Sequence, residues 1–422
     1  MGVAWNFLFV FLYWGFLVTQ ADELIYLQSV WRHGDRTPLR SAVWPTNPYQ
    51  ESFWIKETNV GLSQLTPTGK QQHINLGKKL RDRYITDLGF VSPNYDQREI
   101  FIQSTNFART IQSAQANMQG FYDDLNLMAP INKPGYFGPG DCKRTEALWR
   151  YIQQTPEYQA LNSNQSYQNM MTKIRSLTGE MYWDLPQIYD VQDTLYITHF
   201  VYNQTAGNNN EEQLLAMFPQ INQTNDLYLD WKNGIGLAPY RGLDFSHEVP
   251  QAADGGGFLL RGFIGLINGK IYCRNTTSDT SAFCTWMNPL KYYAYSAHDD
   301  TIAAALASLG FKRTDYTQDG TPQYTSALTF ELWLDNQSNP YMRVLFKLLS
   351  VTKIPRSIGC TNNCPLNTFI NRSMPYLLNS TLDYDQMAAW CDVPLCVDAS
   401  DDCNQYLNHC QTPSYRKIFQ PF

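Results

Sequence analysis

Leu24-Ile25-Tyr26-Leu27-Gln28-Ser29-Val30-Trp31 runs straight into Arg32-His33-Gly34-Asp35-Arg36-Thr37-Pro38, and this junction decides the architecture. The first part is mostly apolar and of strand length, with Ile25, Leu27 and Val30 as strand formers. A strand that ends in a glycine turn delivers the next side chains to the carboxyl edge of a sheet, where α/β proteins bind ligands. Two guanidiniums flank one imidazole there. Arginine offers a rigid fork of donors matched to phosphate oxygens, and histidine can attack phosphorus as a nucleophile. Gly34 lets the backbone turn tightly, and Pro38 fixes the path out. The competing reading is an Arg-rich surface turn with an incidental histidine.

The same arrangement recurs. Tyr292-Tyr293-Ala294-Tyr295-Ser296-Ala297 reads as a strand that ends in His298-Asp299, with a helix predicted over 301–309 and closed by Gly310. A His-Asp pair alone is weak evidence, because such pairs often cap helices; its place between strand end and helix start is what counts. A third strand, 99–104, passes through Ser104-Thr105-Asn106-Phe107-Ala108-Arg109-Thr110 into a helix predicted to run through Met118. Arg109 thus stands near a helix N-terminus, whose free N–H groups already favour anions. Thr66 and Pro67 open a further helix as N-cap and first residue. Leu76, Leu80 and Tyr84 give it an inward stripe, which His73 continues as a half-buried packing histidine.

Between these elements the pattern changes. Trp44 to Ser63 reads as loop, with Pro45, Pro48 and Gly61. From Cys142 to about Pro250 helix and loop mix without strand alternation: 148–152, 167–177 and 192–201 look helical, and the Asn/Gln-rich 203–225 reads as surface loops. The stretch separates two α/β-like halves, so it is an inserted helical cap. Gly255-Gly256-Gly257 lacks the Lys-Ser/Thr ending of a nucleotide-binding loop. The apolar residues after it, Leu259 to Ile267, mark the glycines as the close-packed start of a helix. Segments 326–334 and 341–349 form a hairpin of strands about Asn336-Gln337-Ser338-Asn339-Pro340.

Phe7 to Val18 is almost wholly apolar, no charge precedes Asp22, and Thr19-Gln20-Ala21 offers a cleavage site after Ala21. Residues 1–21 are therefore expected to be a signal peptide, an uncleaved anchor being the alternative, and the mature protein secreted or luminal without a stable membrane anchor. The nine cysteines all lie beyond this segment. In an oxidising compartment most would pair, and an odd count leaves at least one thiol over. Zinc is the competing use of Cys360-x3-Cys364 and the C-terminal cluster, but no spaced histidine pair accompanies them, and no metal is expected. Glycosylation sequons begin at Asn164, Asn203, Asn222, Asn275, Asn336, Asn371 and Asn379. A net charge of −6 without a basic run argues against nucleic acid or an anionic membrane as partner. Substrate capture must then be local, at the arginines.

Arg32-His33-Gly34-Asp35-Arg36-Thr37-Pro38 resembles the RHGxRxP signature of the histidine acid phosphatases, and His298-Asp299 resembles their HD motif. The chain is similar to secreted and lysosomal animal members of the prostatic type over essentially its whole mature length, least so from Cys142 to about Gln251. The resemblance implies an α/β fold with a phosphoglycerate mutase-like three-layer core. Its central sheet would be mixed and mainly parallel, with a smaller helical cap inserted. Residues 22–141 and 251–422 would form the core and 142–250 the cap.

The resemblance also implies roles. His33 would take the phosphoryl group of a phosphomonoester substrate, Arg32, Arg36, Arg109 and His298 would hold its oxygens, and Asp299 would protonate the leaving alcohol. Asp35 would only orient neighbours. Bridges Cys142–Cys391 and Cys360–Cys364 match family positions, while the cysteines of a third family bridge, near Ile197 and Ala327, are missing together. Cys273–Cys284 would be a local replacement, and Cys396, Cys403 and Cys410 would hold one bridge and one spare thiol. Family members are often dimeric, so a homodimer is possible. No cofactor is implied: fixed donors supply the charge, and a phosphohistidine intermediate splits hydrolysis into two steps. Asp299 must carry a proton for the first step, which favours acidic pH. Rivals are a histidine-nucleophile mutase, disfavoured by export and by the HD motif, and a secreted glycoprotein that binds phosphorylated ligands without turnover.

Overall fold

A computed structural model of the chain describes residues 21–139, 142–311, 321–346, 363–377 and 384–392. Asn379, Cys360, Cys396, Cys403, Cys410 and all but the last residue of the expected signal peptide lie outside them.

The strands are β1 Glu23–Arg32, β2 Ile100–Ser104, β3 Lys133–Pro134, β4 Tyr292–Ala297, β5 Ala327–Leu334, β6 Pro340–Phe346 and β7 Cys364–Pro365. They form one sheet in the order β3-β2-β4-β1-β5-β6-β7. β3, β2, β4 and β1 are mutually parallel, and β5, β6 and β7 continue antiparallel. The parallel half carries the strand ends of interest.

Period-two alternation sorts the side chains between two faces. Leu27 and Trp31 of β1 and Tyr292 and Ala294 of β4 enter a core with helices α2 (Pro67–Arg81) and α3 (Ala108–Tyr122). Tyr26, Val30, Tyr293 and Tyr295 enter the opposite core. There they meet α11 (Leu259–Asn275), α12 (Ala282–Met287), α13 (Asp299–Ser308) and α14 (Leu366–Ser373). The result is a three-layer α/β core. Thr66 caps α2 by accepting from the Gly69 N–H at 3.1 Å, an interaction of about 1 kcal/mol.

The insert is helical. It comprises α4 (Lys143–Ile152), α5 (Pro156–Asn162), α6 (Gln165–Thr178), α7 (Ile188–Leu195), α8 (Asn209–Ala216), α9 (Phe218–Lys232) and α10 (Phe245–Ala252). These share a hydrophobic cluster of their own, built on residues such as Ile174, Ile188, Leu214, Ile221 and Phe245. A long-range disulfide, Cys142–Cys391, fastens the start of α4 to α15 (Tyr384–Asp392) across a separation of 249 residues. Cys273–Cys284 links α11 to α12. Cys364 is disulfide-bonded too; Cys360, its expected partner, lies outside the described residues.

Three local expectations are corrected. Within the loop expected at 44–63, Glu51–Thr58 forms helix α1. It has little amphipathic pattern and is held by Trp54, whose indole is fully buried among Tyr49, Leu62 and Ile197. The Asn/Gln-rich 203–225 is largely helical as well: Asn208 caps α8 through the Glu211 N–H at 2.9 Å, and Leu214 and Ile221 supply the buried face. His73 is completely buried, not half-buried. Of the sequons, Asn164, Asn203, Asn275, Asn336 and Asn371 are exposed, whereas Asn222 is half-buried and accepts from Gln192 at 2.9 Å.

Candidate active site

Three neighbouring parallel strands, β2, β4 and β1, end side by side, and each hands its next residues to the same place. His33 N–H donates to the Ala297 carbonyl at 3.0 Å, and Thr105 N–H to the Ser296 carbonyl at 3.1 Å, so the three chains stay paired to the edge. Gly34 has no left-handed backbone to explain it; its reason is space. A Cβ there would lie 2.3 Å from the Gly69 carbonyl oxygen, because the loop passes directly against the first turn of α2. Gly255 is needed likewise, since a Cβ would stand 2.3 Å from the carbonyl of Thr301 in α13.

A cavity of about 780 Å³ opens over these ends. Its wall includes His33, Arg36, Arg109, His298 and Asp299 from the core, and Trp149, Tyr189, Tyr228 and Lys232 from the cap. Arg32 is not part of that wall. Its Nη2 lies 3.1 Å from Asp299, its Nη1 donates to the Pro322 carbonyl at 2.6 Å, and its guanidinium stacks 4.3 Å from the centre of the Tyr324 ring. The Nε–H groups of Arg32, Arg36 and Arg109 are buried without a hydrogen-bond acceptor among the described residues.

The two histidines lie 5.6 Å apart, edge to face. His33 Nδ1 is 2.8 Å from the Gly34 carbonyl, which requires Nδ1 to carry the hydrogen and leaves Nε2 with its lone pair. Burial, and then the charges of Arg32 and Arg36, hold this imidazole well below the ordinary histidine value, which favours its neutral form. His298 Nε2 is 2.9 Å from the Thr105 hydroxyl, whose own hydrogen goes to Thr110 at 2.9 Å. His298 therefore donates from Nε2, and its Nδ1 faces Arg109 Nη2 at 3.5 Å. Burial lowers this ring's proton affinity too; Asp300 opposes that and Arg109 adds to it.

Asp299 is the first residue of α13 and accepts the Asp300 N–H at 3.0 Å. Its second oxygen receives Arg32 and, at 3.0 Å, the Tyr189 hydroxyl. Burial alone would raise its pKa, but Arg32 and Arg36 overcome it, and the carboxyl lies well below the usual carboxylate range. Arg36 is bound bidentately by Asp193 of α7, at 3.0 and 3.2 Å. Asp35 turns away to accept from Thr66 and, at 2.6 Å, from Tyr202. His73 donates from Nε2 to the Arg32 carbonyl at 3.1 Å and has no place in the cavity wall.

The six residues singled out in the sequence thus meet at one site. Tyr189, Asp193, Thr105 and Tyr324 join them and were not foreseen. Among the described residues, no group of three or more His, Cys, Asp or Glu is placed to hold a metal ion.

An α/β sheet whose strand ends gather two histidines, three arginines and an aspartate defines a phosphoryl-transfer site of the histidine type. The sequence pattern of the histidine phosphatase superfamily (branch 2) matches residues 23–347, and the chain belongs to that family. It is 30% identical over 384 residues to lysosomal acid phosphatase of Rattus norvegicus, covering 85% of this chain and 79% of the relative. Testicular acid phosphatase of Homo sapiens is 29% identical over 384 residues, with 83% and 79% covered. Among solved structures, Hafnia alvei phytase in complex with tartrate superimposes with a TM-score of 0.54 at 16% identity, over 85% of this chain and 98% of that one. This last likeness concerns the fold.

Proposed function

We propose that the chain hydrolyses phosphomonoesters as a histidine acid phosphatase, with His33 as nucleophile and Asp299 as general acid. The observation that carries this reading is the meeting of His33, fixed through its Nδ1, with His298, Asp299 and three arginines at the ends of β1, β2 and β4. Nε2 attacks phosphorus, the ester P–O bond breaks in line, and Asp299 gives its proton to the departing alkoxide. Water then attacks the phosphohistidine, Asp299 takes back a proton, and inorganic phosphate leaves with His33 restored.

Acid favours this cycle from both sides. The lowered proton affinity of His33 keeps the nucleophile neutral where an ordinary histidine would be protonated. Asp299, ionised at rest, gains proton affinity when a phosphoryl dianion takes its place beside the arginines, so substrate binding helps load the acid. The same dianion would draw a proton onto His298 Nδ1, turning it into a donor.

Residues 22–141 and 251–422 serve as the catalytic core in this reading, and 142–250 as the cap. The disulfides and the lysosomal relatives support a lysosomal or secreted location after cleavage behind Ala21. Amino-terminal sequencing of the mature chain tests the cleavage, and sedimentation tests dimerisation. For the chemistry, purified protein should release para-nitrophenol from para-nitrophenyl phosphate at acidic pH, and acid-labile radiolabel should be trapped on wild type but not on His33→Ala. A folded His33→Ala variant that keeps more than a small fraction of the activity overturns the mechanism.

A further inference from the structure

Helix α7 belongs to the cap, yet two of its residues grip the catalytic groups of the core. Tyr189 and Asp193 are four residues apart, which puts them one above the other on a single helix face. The other side of the same helix is sealed into the cap: Ile188, Val191 and Leu195 are fully buried in its hydrophobic cluster. Thr194 adds a hydrogen bond to the Ala42 carbonyl at 3.2 Å. A helix anchored on one face holds the groups on its other face to a fixed position.

Each contact has a definite geometric effect. Asp193 meets both Nη atoms of Arg36, at 3.0 and 3.2 Å, and both side chains are almost wholly buried. A bidentate contact fixes the plane of a guanidinium as well as its place. Tyr189 donates to Asp299 Oδ2 at 3.0 Å while the Asp300 N–H holds Oδ1 at 3.0 Å, so the carboxyl is clamped from both ends.

We propose that Tyr189 and Asp193 are positioning residues of the hydrolytic reaction, Tyr189 aligning the general acid Asp299 and Asp193 aligning the phosphate-binding Arg36. Closure of the cap on the core is then part of assembling the site. This inference rests on the roles given above to Asp299 and Arg36.

Tyr189→Phe removes one hydroxyl and tests the first contact. The hydroxyl stabilises the ionised carboxyl, so its loss favours the proton on Asp299. Asp299 also faces Arg32 at the end of β1, Arg36 from the loop after it and His298 just beyond β4; Arg109 of α3, Lys232 of α9 and Asp300 stand around it. None of these is altered by the substitution. With an alkyl phosphate, whose departure needs the acid, the alkaline limb of the kcat profile should move up by about one pH unit.

Asp193→Asn tests the second contact through ligands that differ in geometry. Vanadate, which mimics the five-coordinate transition state, should bind at least about tenfold more weakly, while phosphate inhibition changes little, and Asp193→Glu should recover part of the loss. A merely structural role would lower the folded fraction, move neither the pH limb nor the vanadate-to-phosphate ratio, and so overturn the inference. Trapped radiolabel on wild type, together with an unmoved limb in Tyr189→Phe, refutes the positioning role alone. Absence of trapped label on wild type refutes the underlying reading.

Discussion

Replacing His73 by glutamine should make the stability of this protein less sensitive to acid by an amount that the buried ring sets. His73 is completely buried, its Nε2 donates to the Arg32 carbonyl, and its Nδ1 has no partner among the described residues. A second proton would have nowhere to go. Burial pushes its pKa down to about 3, against the opposing pull of the Arg32 carbonyl. In the unfolded chain the ring titrates near its ordinary value of about 6.5. Between those values the unfolded state binds more protons, so the contribution is complete above about pH 6.5 and stability falls as pH drops toward 3. From pH 7 to pH 5 the loss due to this one ring is about 2 kcal/mol.

Glutamine can still donate to the Arg32 carbonyl but does not titrate. Whatever offset the substitution brings at pH 7, the difference in unfolding free energy should move by about 2 kcal/mol in the variant's favour at pH 5. The titrations of His33 and His298 are common to both proteins and cancel. Urea unfolding followed by tryptophan fluorescence, at half-unit steps of pH, measures this. Parallel curves for the two proteins would refute the reasoning, since they would mean that His73 is protonated to the same extent folded and unfolded.

Asp299→Asn should slow hydrolysis of alkyl phosphates by about 10²-fold or more and that of para-nitrophenyl phosphate far less, because a good leaving group departs without the acid. Equal losses on both, in steady-state assays, would remove Asp299 from that role. Two of the disulfides offer a comparison free of catalysis. Serine pairs replacing Cys142–Cys391, separated by 249 residues, should cost about 3 kcal/mol more stability than pairs replacing Cys273–Cys284, separated by 11, if loop entropy governs the difference. Denaturant melts of the two double variants decide it, and a larger loss from the short loop would contradict that account.

The parts of the fold that were legible in the sequence are those where local chemistry and tertiary role agree. β1, β2 and β4 are apolar runs stopped by polar turns, and their ends needed only the parallel order of the sheet to bring His33, Arg109 and His298 together. Helix α1 was hidden because its anchor is a single tryptophan and its partners, Tyr49 and Ile197, are remote or outside the helix. The Asn/Gln-rich stretch hides α8 and α9 because its polarity reads as loop, whereas Asn208 is a cap, Asn209 and Gln223 face solvent, and Asn225 is itself buried. Tyr189 and Asp193 carried no signal at all. Their meaning depends on which helix face the cap turns toward the sheet, and a tyrosine four residues before an aspartate is common on any helix.

The pairing of β1 with β4 sets the order in which this protein can become active. Trp31 and Ser296, joined across those strands by a 3.0 Å hydrogen bond, are 265 residues apart in the chain. Every residue of the cap and both helices behind the first arginine motif are synthesised before the strand that brings His298 and Asp299. A growing chain therefore carries an unguarded histidine and arginine loop for most of its synthesis, but not the proposed general acid and no neighbouring strand to hold the loop's shape. β4 slots between β2 and β1, and this insertion, late in the chain, joins the two sides of the parallel half of the sheet and brings in the proposed general acid. Competence is thereby tied to late synthesis: fragments that end before Tyr292 lack the proposed acid as well as the strand that joins β2 to β1.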